Sequence, residues 1–70
     1  MMTIKERAVA IRRAQAALQT LSEQPTASQR QLGVAREQLN DCYRLSDPER
    51  VRAAAEGAES TAATVRGPGI

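Results

Sequence analysis

Three helix starts punctuate this chain at intervals of roughly twenty residues, and they leave room for little but a helical fold. Thr3-Ile4-Lys5-Glu6, Thr26-Ala27-Ser28-Gln29 and Ser46-Asp47-Pro48-Glu49 each set a hydroxyl residue three positions before Glu or Gln. In that arrangement the cap and the third residue can satisfy each other's orphan backbone donors. Proline in the first turn and acid at the positive helix end strengthen the last of the three.

What lies between these starts is rich in alanine and poor in bulk. Thirteen Ala accompany only twelve Ile, Leu and Val in 70 residues, with one Tyr and neither Phe nor Trp. Alanine favours the helix strongly but buries little area. A net charge of +2 gives no reason for disorder through self-repulsion. Seventy residues allow one domain, close to the lower size limit of independent stability. The expectation is that the helices form and that association supplies the missing buried surface.

The spacing predicts a first helix over Ile4 to Ser22, with Ile4, Ile11 and Leu18 at sevens and Ala14 and Leu21 on the neighbouring line. Gln24-Pro25-Thr26 ends it, because proline disfavours helical geometry at Gln24 and Thr26 is then placed to cap. A second helix, about 27–45, carries Leu32, Ala35, Leu39 and Cys42 on one stripe. Gly33 inside it costs about 1 kcal/mol relative to Ala. A third helix is expected from Pro48 to about Glu56. From that start Val51, Ala54, Ala55, Ala58, Ala62 and Val65 keep helical spacing, but only two are larger than Ala, and Gly57 and Ser60-Thr61 lower propensity. On this reading residues 1–56 form an all-α antiparallel hairpin plus a short helix, and 57–70 a weakly ordered tail. Ile4, Ile11, Leu18, Leu21, Leu32, Leu39 and Cys42 would form the shared core of a homodimeric four-helix-type bundle.

Chemistry-bearing residues are sparse. There is no His, and Cys42 is the lone cysteine, so it has no imidazole to activate it and no intrachain disulfide partner. Glycines are too scattered to cradle phosphate, and no Cys/His spacing suits zinc. The expectation is a protein that is not an enzyme and needs no cofactor or metal. No stretch approaches the apolar length of a membrane span, and Arg7, Arg12 and Arg13 interrupt any leader-like run. A cytoplasmic location is therefore expected. Nine of the ten cations are Arg, spread as a mild gradient with no concentrated basic patch. Tyr43, one step from Cys42, suits either the edge of a core or an interface anchor.

Two resemblances bear on function. Gln31 to Leu39 resembles the turn and early recognition helix of a helix-turn-helix DNA-binding motif, with Leu32-Gly33-Val34 at the turn and Leu39 and Cys42 five and eight positions after Val34. It departs from that pattern at Gln29, where the motif usually has Ala. The resemblance implies DNA binding through residues 25–44, with Gly33 as the turn glycine and Arg36, Glu37, Gln38, Asn40 and Arg44 facing the groove. In size and in its Thr3–Leu45 layout, the chain also resembles small phage-encoded helical hairpins that disable host regulators, quorum-sensing anti-activators among them. That resemblance implies an inhibitor that occupies a functional surface of a partner protein such as a transcription activator. Tyr43 and Arg44, with Asn40 and Arg36 alongside, would then form the contact patch.

Overall fold

The computed structural model describes residues 2–66, with side chains described to residue 64. Helix α1 spans Ile4–Ser22, α2 spans Gln29–Arg44 and α3 spans Pro48–Arg66. No strand occurs among the described residues. The radius of gyration, 12.0 Å, is near the roughly 11 Å of a compact chain this long.

Local capping chemistry sets each start. The Thr3 hydroxyl accepts from the Glu6 backbone N–H at 3.0 Å. For α2 the cap is Ser28, two residues after the expected Thr26. Its hydroxyl accepts from Gln31 N–H at 3.2 Å, while Gln31 Oε1 accepts from Ser28 N–H at 3.0 Å. Ser28-Gln31 is itself a capping box, so the two overlapping boxes compete and the one nearer the apolar stripe prevails. At α3, Asp47 accepts from Glu49 N–H at 2.9 Å, and Pro48 opens the helix.

Helix α2 continues through Gly33 without a positive φ, as the second-helix reading expects, and the turn required by the helix-turn-helix resemblance is absent. The expected end of the third helix is corrected. Helix α3 continues ten residues past Glu56 to Arg66. Val51, Ala54, Ala55, Ala58 and Ala62 are all buried against the other two helices, and packing of that face outweighs the weak propensity of Gly57 and Thr61. The Thr61 hydroxyl is satisfied within the helix, donating to Gly57 O at 3.0 Å. Of the expected tail, residues 67–70 lie outside the described residues.

The core that results is made of small side chains. Eight of the eleven buried hydrophobic residues are Ala, joined by Leu21, Cys42 and Val51. Alanine faces let helix axes approach closely, so the buried seam follows Ala10, Ala14, Ala17 and Leu21 on α1, and the Ile4–Ile11–Leu18 line is not on it. Ile11, Leu18, Leu32 and Leu39 are half-buried beside this core, and Ile4 is 91% exposed.

Cys42 sits fully buried, its thiol directed at Val51 O at 3.8 Å. Burial first, then the nearby Asp41 carboxylate, push the thiol pKa up, and the Arg7 guanidinium offsets part of this. An unfolded thiol ionises from about pH 8.5, whereas the folded one holds its proton to higher pH. The contribution to stability is therefore complete below that pH and declines as pH rises towards the folded value. Thermal melts between pH 7.5 and about 9.5 should show a falling Tm that flattens in Cys42→Ala. Equal slopes in the two proteins would remove the thiol as the cause.

Candidate functional site

Helices α1 and α2 run antiparallel, and α3 fills the groove on one side of the pair. The opposite groove is open. Leu18 from α1 and Leu32 and Leu39 from α2 line it, with Gln15, Gln19, Ser22 and Arg36 around them. Its position follows from the sequence pattern. Once the alanine edge of each helix turns toward α3, the adjacent edge, where the larger aliphatics recur at sevens, must face outward. Ile11, half-buried, and Ile4, exposed, share the helical line of Leu18 on α1.

Tyr43 stands at the end of this groove, 53% exposed and held from α1. Gln15 Nε2 donates to the Tyr43 hydroxyl at 3.0 Å, and Arg7 Nη2 donates to the Tyr43 carbonyl at 2.6 Å. The second contact also sets a cation on the negative end of α2. A ring whose hydroxyl is already held loses less freedom when a partner covers it.

The residues of the expected contact patch do not all share one surface. Arg36 borders the leucine groove. Asn40 and Arg44 lie one step round α2, beside Glu37 and Asp41. Arg44 is tied to Asp41 in an i, i+3 ion pair at 2.5 Å. Tyr43 joins the groove through its hydrogen bond from Gln15, which lines it. Of the residues assigned to a core or dimer contact, Leu21 and Cys42 are inside this chain, Ile11, Leu18, Leu32 and Leu39 are half-buried along the groove, and Ile4 is outside. Sequence reasoning missed the α1 contribution of Gln15. Its seven-residue phase with Ser22 and Ala8, beside the Ile11–Leu18 line, was the available signal.

Charge divides the two sides of the molecule. Along the α1/α3 seam, Arg13 pairs with Glu59 at 2.5 Å and Arg52 with Glu6 at 3.2 Å. None of the residues lining the open α1/α2 groove is acidic, and Arg36 makes no ion pair among the described residues. No three Cys, Asp or Glu side chains gather where they could hold a metal ion among the described residues. No helix there is long and apolar enough to cross a membrane. Compared with protein-family models, curated proteins and solved structures, the chain matches none.

Proposed function

We propose that this chain is a non-enzymatic protein-binding module, a regulator or inhibitor that works by covering a functional surface of a partner protein with its α1/α2 face. One observation carries the reading: alanines fill the core, and most of the bulky apolar side chains stand half-buried or exposed at its rim. Among described residues only Leu21 and Val51 of the Ile, Leu and Val set are fully buried, while Ile4, Ile11, Leu18, Leu32, Leu39 and Tyr43 line one outer face. A chain with so few large side chains would gain most by burying them, yet they remain where a second protein can reach them. The pre-set Tyr43 ring adds a residue type enriched among energetic anchors of interfaces. A transcription activator is one partner class such a module would suit.

The test is capture of partners from the producing cell with the full chain, followed by reconstitution of the complex from purified components. The double variant Ile4→Glu, Tyr43→Ala changes two exposed positions of the face and should weaken binding about tenfold or more. Val9→Glu, 41% exposed beside the α1/α3 seam, should leave affinity unchanged. If Val9→Glu abolishes binding and the double variant does not, the docking face has been misplaced.

A further inference from the structure

We infer that the open α1/α2 groove accepts a single amphipathic helix of the partner, with an aliphatic stripe along Leu18, Leu32 and Leu39 and a carboxylate opposite Arg36. This rests on the docking reading above and specifies its occupant. The α1/α2 pair already accepts one helix, because α3 lies in the groove on its other side with Val51, Ala54, Ala55, Ala58 and Ala62 inserted. The open side repeats that geometry with larger side chains. Aliphatics at sevens on both walls form rows parallel to the helix axes, which a helix matches with its own i, i+3, i+4, i+7 residues.

Charge then selects which helix. Arg36 borders the apolar row, and no carboxylate lines the groove. A covered guanidinium must be paired, and the planar Arg fork suits a bidentate carboxylate. A second copy of this chain presented face to face would offer another Arg36 and no acid. The groove therefore favours an acidic helix from a different protein.

The experiment selects binders for the full chain from a displayed library of stapled single-helix peptides randomised along one face. The expected result is enrichment of peptides combining an aliphatic stripe with Glu or Asp. NMR shifts on binding should map to Leu18, Leu32 and Leu39. Arg36→Gln should weaken these peptides about tenfold or more, and Arg36→Glu should restore affinity only for peptides whose acid is changed to Lys. Peptides that map to the groove without acid, indifferent to Arg36, would overturn the acidic-helix inference and leave the docking face standing. Self-association through the groove that excludes every peptide would overturn it as well. Peptides mapping only elsewhere, or none at all, would remove both the occupant and the face.

Discussion

A chain ending at Glu56 is expected to lose cooperative folding. The deletion removes Ala58 and Ala62, both buried, and uncovers the second half of α1, where Ala62 and Ala63 lie beside Ala16, Ala17 and Thr20. It also strips cover from α2, because Gly57 packs on the Gln38 side chain. A hydrophobic core this small rarely supplies more than about 3–5 kcal/mol in total, so losing half of one of three helices leaves too little to offset chain entropy. Far-UV circular dichroism should show lower helicity per residue and a broad, non-sigmoidal melt instead of the full chain's transition. A 1–56 fragment melting within a few degrees of the full chain would mean that the second half of α3 is ornamental to the fold.

That result would also separate what is legible in such a sequence from what is not. Capping is local chemistry among a few neighbouring residues, so α1 was located to the residue from Thr3 and Glu6. Where two boxes overlap, as at Thr26-Gln29 and Ser28-Gln31, local rules supply candidates and the packing of the following stripe chooses between them. The extent of α3 is a different kind of fact. Gly57 and Ser60-Thr61 argue against helix locally, and only the presence of α1 and α2 makes Ala58 and Ala62 worth burying. The face buried within the single chain was only partly legible for a related reason. Bulk marks a core when helices stand well apart, but where axes close on alanine the largest side chains are displaced to the rim. Ile4 is therefore exposed and Ile11 and Leu18 half-buried, and for the Gln15–Tyr43 contact, joining residues 28 apart, the heptad phase of Gln15 marks its face but not its partner.

Ala58→Leu tests that inversion most directly, because two sound physical arguments give it opposite signs. Leu is apolar, a good helix former, and would add the buried area that this chain lacks. Were shortage of apolar surface the governing limit, the substitution would stabilise. Ala58, however, is fully buried, within a seam shared with Ala14, Ala35 and Ala55 at full burial. Close-packed interiors do not absorb extra methylenes without shifting side chains or backbone, at a cost of about 1–3 kcal/mol and occasionally more. With each kcal/mol moving Tm by about 4–8 °C in a domain of this size, the expected drop is about 4–24 °C. Leu21→Ala should lower Tm comparably, at about 2–5 kcal/mol, because it opens a cavity at the largest fully buried side chain. Destabilisation by both changes would identify a core limited by fit, its alanines required by the distance between helices. A higher Tm in Ala58→Leu would mean that the three helices hold unused space. The bulky residues on the outer face could then no longer be explained by a core too tight to admit them.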